Sequence, residues 1–361
     1  MVEPFLERLP DMDLAFNLDD ECRVIVPFDD LRGLLVVANE SMGRLSSAPK
    51  LQSFSRSQNP PWSDRYLEED FKEQNEDAVS PFFSFRTNAS IFDSFVAPTC
   101  SPEDPARAMR WWNRNNALPS GRGVVRHRMA VTDLCRRPDV ARMHGFLLDP
   151  GTFAVTQSLF PFFNQGRIGG FKDILVPSPW NFLSKVDLDE SLDREWEDKF
   201  ETVFWRGSSS DGLSTHDSWT GFLRARFVNL ANRISSSSWT LSLSSKTSIQ
   251  STILSAPGGA ISPVNVSFVG NFSKCHTLDC KSETATSFGG PGGLPPPNVD
   301  FQEHWAYRHL VDLDGAGFSG RFLPFLKSKG LVYRTTLFRT WYDERVHPWV
   351  HFVPLDISLS D

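Results

Sequence analysis

Over the first 175 residues, short apolar runs at 14–16, 23–27, 34–38, 82–85 and 152–155 alternate with Pro- and Asn-rich turns. Runs of this length bounded by turn formers predict short strands and helices in a mixed α/β arrangement. Residues 187–201, DLDESLDREWEDKFE, instead carry Leu192, Trp196 and Phe200 four apart. That spacing puts them on one helix face and predicts an acidic helix connecting two domains, 1–180 and 181–361. Beyond it the pattern predicts a strand at 202–205, a turn at 206–210 and a helix over 218–232. A buried strand is predicted at 306–313, followed by a tight turn at Gly315, Gly317 and Gly320 and a helix capped by Ser319 that runs to 328. Gly330 ends that helix, and a strand at 331–335, a short helix at 337–344 and a strand at 349–354 complete the series. The last block resembles half of a doubly wound α/β domain, in which ligands sit where strands end and helices begin. Residues 52–77 read as a surface loop leading into a helix. The Ser-rich stretch 235–263 and GGPGGLPPP at 289–297 read as mobile loops.

Composition narrows the class. A chain of 361 residues with 40% hydrophobic positions can bury a full core in two domains. Its longest apolar windows, such as 34–38 and 159–163, fall far below the ~20 residues of a membrane span, so no transmembrane segment is expected. The five cysteines are too few for a disulfide scaffold but suit one or two bridges in a lumenal protein, with one thiol left over. Glycosylation triplets at Asn39, Asn88, Asn265 and Asn271 are permitted by the same compartment. The net charge is −7, yet Arg321, Lys327, Lys329, Arg334 and Arg339 cluster around the glycine turn with no acid among them. This balance excludes long nucleic acids and favours a small anion such as a nucleotide diphosphate, held by backbone amides, a helix N-terminus and arginine.

Several motifs bear on the chemistry. Gly315-Ala316-Gly317-Phe318-Ser319-Gly320 has the dinucleotide-loop spacing, but the following strand ends in Arg334-Thr335-Thr336-Leu337 rather than in the acid that binds ribose hydroxyls. A phosphate or sugar-nucleotide loop fits better, with a dinucleotide-dependent oxidoreductase as an alternative. The triplets Asp11-Met12-Asp13, Asp187-Leu188-Asp189 and Asp312-Leu313-Asp314 read as turn residues more readily than as cation ligands. His347 and His351, on a strand, would stand ~13 Å apart, too far to share a metal. Cys275 and Cys280 form either a local disulfide or two free thiols. Phe204-Trp205-Arg206-Gly207-Ser208 puts a guanidinium and free amides at a helix mouth.

Together DMDLAFNLDDECRVIVP at 11–27, PFFSFRTNAS at 81–90, FWRGS at 204–208, and the 305–354 block with DLDGAGFSGRFLPFLKS and WYDERVHPWVHFVP resemble glycosyltransferase family 90. That family contains the fungal capsule-associated glycosyltransferases and the Rumi-like protein O-glucosyltransferases. The resemblance implies a metal-independent GT-B fold of two Rossmann-like domains, an acceptor-side domain at 1–180 and a nucleotide-sugar domain at 181–361. It also implies a UDP-sugar donor, xylose or glucose leading, transfer with inversion to a glycan or protein hydroxyl, and a secretory-pathway lumen. Asp20 matches the catalytic base. Arg206 and Arg321 match arginines that contact the diphosphate, and Ser208, Ser319 and Gly320 fall in the same phosphate region. No cofactor beyond the donor is implied. Family members extend past both ends of this sequence, so an incomplete N-terminal domain and missing C-terminal helices are expected. A catalytically inactive relative that still binds nucleotide or a partner is the further alternative.

Overall fold

The computed structural model describes residues 13–45, 84–85, 90–108, 125, 132–182, 186–236, 240–242, 251–253, 263–288, 296 and 298–359. The predicted loop at 52–77, and most of those at 235–263 and 289–297, lie outside these residues, as do Asp11 and Asn88. Strands on the N-terminal side are β1 (Ala15–Phe16), β2 (Ser84–Phe85), β3 (Ala154–Val155), β4 (Phe162–Asn164) and β5 (Ile174–Leu175). They are followed by β6 (Phe200–Gly207), β7 (Thr240–Ser242), β8 (Ser251–Ile253), β9 (Val264–Phe268), β10 (Tyr307–Leu313), β11 (Leu331–Thr335) and β12 (Val353–Pro354).

The protein is mixed α/β with parallel sheets. A small parallel sheet runs β1-β4-β5. The larger one has the order β12-β11-β10-β6-β9, and every neighbouring pair is parallel. The chain starts this sheet at β6, adds β9 on one side, then returns to lay β10, β11 and β12 on the other. The order therefore reverses between β6 and β10, and the crevice beyond the carboxyl ends of two such strands is where open α/β sheets bind ligands.

Both faces of this sheet are covered. Val311 and Leu313 of β10 join Trp205 and residues from the N-terminal side, Ile25, Phe146 and Phe171 among them, in one hydrophobic cluster. Leu310 points the other way, into a second cluster with Trp305, Phe322, Phe325, Val332, Tyr342 and Phe352. Burial of its C-terminal half on both faces suits a central strand paired in parallel on each side. Arg137 adds a buried polar tie between the N-terminal half and the C-terminal segment, pairing with Asp139 at 2.8 Å and Asp356 at 2.9 Å.

Several predicted elements are corrected. Residues 187–201 do not form a helix; they make turns and a short 3-10 segment, Trp196–Asp198, before entering β6. Their carboxylates bind local backbone and lysines: Asp189 accepts from Ser191, and Asp193 pairs with Lys199. Leu192, Trp196 and Phe200 are all exposed rather than gathered on a buried face. The helix predicted at 218–232 is split into 3-10 Ser218–Gly221 and α-helix Leu223–Ser236, with Phe222 extended at the break. The helix predicted from Ser319 begins later, at Phe322, and ends at Lys327.

No helix forms at 337–344. Asp343 accepts from the Thr340 amide, and Arg339 makes a backbone bridge with Arg167. The strand predicted at 349–354 shrinks to β12, because Trp349 adopts a left-handed φ of 67° in a turn. That turn brings the rings of His347 and His351 to 5.8 Å, far closer than on a strand. Cys275 and Cys280 form a disulfide, as do Cys100 and Cys135, and Cys22 is buried as a thiol.

Candidate functional site

The loop carrying Asp20 is held by its own polar residues. Asn17 donates to the carbonyls of Asp19 and Glu21 and accepts from the Asp19 amide, closing an Asx-type turn. Arg23 pairs with Asp19, so that carboxylate is already neutralised. Glu21 turns inward and accepts from the Thr152 amide at 3.1 Å. Asp20 is left facing outward. Gln165 donates to its Oδ1 at 3.0 Å, and Ser178 fixes Gln165 by donating to its carbonyl oxygen at 2.6 Å. Although Asp20 is open to solvent on one side, surrounding protein raises its carboxyl above the ordinary value. Glu21 adds to the rise and Lys274 opposes it; Asp19 and Arg224 act more weakly in the same two senses.

Opposite this loop lies the glycine turn after β10. A Cβ on Gly317 would stand 2.7 Å from the Asp20 carbonyl oxygen, and one on Gly315 would stand 2.8 Å from an Arg224 nitrogen. Glycine is required there for close approach. Arg224 opens the helix Leu223–Ser236 and binds both strand ends, donating to the carbonyls of Asp314 (2.8 Å) and Ser208 (2.9 Å). Arg321 donates to the carbonyl of Arg206 at 2.6 Å. Both guanidiniums lie over the Trp205 ring, at 5.9 and 5.5 Å from its centroid. Burial, and then the charge of Arg224, push Arg321 down to about 10, and its Nη2 is buried with no hydrogen-bond partner among the described residues. Two adjacent cations and an unused donor at the sheet's switch point can bind an anion.

A cavity of about 400 Å³ joins the two walls, lined by Leu18–Glu21, Gly151 and Thr152 on one side and by Leu213, Lys274 and Ala316 on the other. A larger cavity of about 540 Å³, beside Arg226 and Ser358, includes none of the site residues. The structure brings Asp20, the glycine turn, Arg224 and Arg321 together. Ser208 is exposed on the loop after β6. Arg206 points along the sheet, bonded to Asn265 and lying 4.7 Å from the Phe204 ring centroid, so it meets Arg321 through its carbonyl. Ser319 is buried and accepts from the Arg321 amide, and Gly320 packs on Trp180.

The five-residue basic cluster is not one pocket. Lys327 pairs with Asp187, Lys329 with Glu195, and Arg334 with Asp312 and Asp343. The acids of Asp312-Leu313-Asp314 are likewise occupied, since Asp314 accepts from Thr336 and the Leu337 amide. Arg224, Gln165 and Lys274 were not singled out from sequence. Only Arg224 carried a signal there, as a basic residue opening the helix after the FWRGS turn. Buried His304 was missed as well; burial, and then the charge of Arg321, hold it down to about 3, so it is neutral. No family model matches the chain, and no curated protein does.

Proposed function

We propose that this protein is an inverting glycosyltransferase that moves a sugar, xylose or glucose by its resemblance to family 90, from a UDP-sugar to a hydroxyl of a glycan or protein acceptor. The carrying observation is the meeting of an outward-facing carboxylate, Asp20, with the Arg321–Arg224 pair across the glycine turn, at the end of parallel strands. In this reading the diphosphate lies against Arg321 and Arg224, and the anomeric carbon faces the cavity beside Asp20. The acceptor oxygen attacks that carbon as the bond to the β-phosphate oxygen breaks. The electron pair leaves with UDP, and the acceptor's proton passes to the Asp20 carboxylate.

Leaving-group stabilisation is the larger contribution, since one such donor is commonly worth ~3 kcal/mol, or about a hundredfold in rate. General-base help adds ~10² to 10⁴. Two Rossmann-like domains in the GT-B arrangement belong to the same proposal, supported by the parallel β1-β4-β5 and β12-β11-β10-β6-β9 sheets. The disulfides Cys100–Cys135 and Cys275–Cys280 support a lumenal setting. Among the described residues no helix is long and apolar enough to cross a membrane. The test is a screen of UDP-sugars for acceptor-dependent UDP release, with thermal shift by UDP and by NAD(P). Stabilisation by NAD(P) and not by UDP would overturn the reading in favour of a dinucleotide enzyme.

A further inference from the structure

Lys274 lines the same cavity as Asp20 but comes from the other wall. Its backbone is tightly held: the Lys274 carbonyl accepts from the Ser214 amide at 2.9 Å, and the His276 amide donates to the Ser214 carbonyl at 2.9 Å. Cys275, the next residue, is bonded to Cys280, and the Ser214 hydroxyl donates to Asp279 on the helix Thr277–Ser287 at 2.6 Å. The side chain, by contrast, is exposed, and among the described residues its ammonium makes no ion pair or hydrogen bond. A lysine with a fixed backbone and an unpaired head, in a cavity whose other charged lining residues are Asp19, Asp20 and Glu21, has a clear electrostatic target. Asp19 is paired with Arg23, and Glu21 is buried against Thr152.

We propose that Lys274 is a positioning residue for Asp20: the ammonium, presented by the Cys275–Cys280 loop, keeps the Asp20 carboxylate charged and turned into the cavity. The inference rests on the reading of Asp20 as general base. The groups facing Asp20 are Glu21 and Asp19 from its own loop, Gln165 by hydrogen bond, Arg224 from the helix after β6, and Lys274. Arg224 is committed to the Ser208 and Asp314 carbonyls, so Lys274 is the cation free to adjust as substrate enters.

The test uses the full chain labelled with 13C at aspartate carboxyls, the Asp20 signal being assigned by its loss in Asp20→Asn. Lys274→Met should move the Asp20 titration, and the acid limb of kcat/KM, up by about half a pH unit, as for a charge acting beyond contact distance. Lys274→Arg should restore both, and 0.5 M salt should shrink the difference between parent and Lys274→Met. An Asp20 titration unmoved in Lys274→Met would overturn the proposal. If the titration moves while Asp20→Asn still transfers sugar, the electrostatic coupling stands and the general-base reading fails.

Discussion

Gly317 lies so close to Asp20 that a β-carbon at position 317 would stand 2.7 Å from the Asp20 carbonyl oxygen and 3.0 Å from its Cβ. The glycine turn and the carboxylate loop come from opposite ends of the sequence, and under the proposed function this contact would set the distance between Asp20 as base and the arginine pair as anion site. Its lack of a side chain is a matter of space, since Gly317 is not among the residues with positive φ.

Gly317→Ala should therefore act on the rate. The backbone of either loop must shift by several tenths of an ångström, which misaligns Asp20 against the anomeric carbon. We expect kcat to fall at least ~10-fold while UDP affinity changes less than ~3-fold, because Arg321 and Arg224 are untouched. Steady-state kinetics alongside calorimetric UDP titration would separate the two. Equal loss in both measurements would mean that the turn itself, not its spacing from Asp20, had collapsed.

Arg321→Ala should weaken UDP binding by ~10- to ~100-fold, the worth of one charge-assisted contact. Arg339→Ala should change it little. Arg339 holds Arg167 through backbone atoms in both directions, which alanine preserves. Arg224→Ala is a poorer probe because it also releases the Ser208 and Asp314 carbonyls. Similar affinities for the Arg321→Ala and Arg339→Ala variants would remove the anion pocket from the glycine turn.

The strands and turns of this region were legible in the sequence because their signals are local. FWRGS and DLDGAGFSG each end an apolar run in small residues, and β6, β10 and β11 follow closely from that. What failed was helix periodicity without a buried partner. Leu192, Trp196 and Phe200 keep the spacing of a helix face, yet the neighbouring carboxylates Asp189 and Asp193 are engaged by Ser191 and Lys199 in turns. The basic cluster misled for a related reason, since side-chain direction and tertiary ion pairs decide which cations stay free. Lys327, Lys329 and Arg334 are spent on Asp187, Glu195 and Asp312. Gln165 and Lys274 had no local signal, because their relation to Asp20 exists only once the two walls meet.

Glu283 offers a stability test independent of catalysis. It is 1% exposed, accepts from Ser209 at 2.8 Å in the loop after β6, and burial raises its carboxyl to about 7, with Asp211 and Asp279 adding to the rise. A carboxyl raised in the folded state favours the protonated form, so its contribution is full below the ordinary value of 4.5 and lost as pH climbs through about 7. The span corresponds to ~3 kcal/mol. Glu283→Gln keeps an acceptor for Ser209 and removes the titration. Denaturant unfolding should then show a flatter pH dependence between about 4.5 and 7, and a variant more stable than the parent at pH 8. An unchanged slope would mean that Glu283 titrates as it does in the unfolded chain.

Asp20→Asn is the decisive substitution for the chemistry. The amide is nearly isosteric and keeps an oxygen that can accept from Gln165, so the loop closed by Asn17 and braced by Glu21 should stay in place. Only the capacity to take a proton is lost. Transfer should fall by ~10² to 10⁴ while UDP affinity, which the proposal assigns to Arg321 and Arg224, stays within about threefold. The parent protein supplies a second check. Burial and Glu21 raise the Asp20 carboxyl, so the acid limb of kcat/KM should lie above the ordinary aspartate value of 3.8, with the rate falling as pH drops through it. A base must be ionised to work, which fixes the sign. Transfer by Asp20→Asn within threefold of the parent, less than ~0.7 kcal/mol, would remove Asp20 from the mechanism. Suspicion would then move to Asp19, whose carboxylate would first have to leave Arg23.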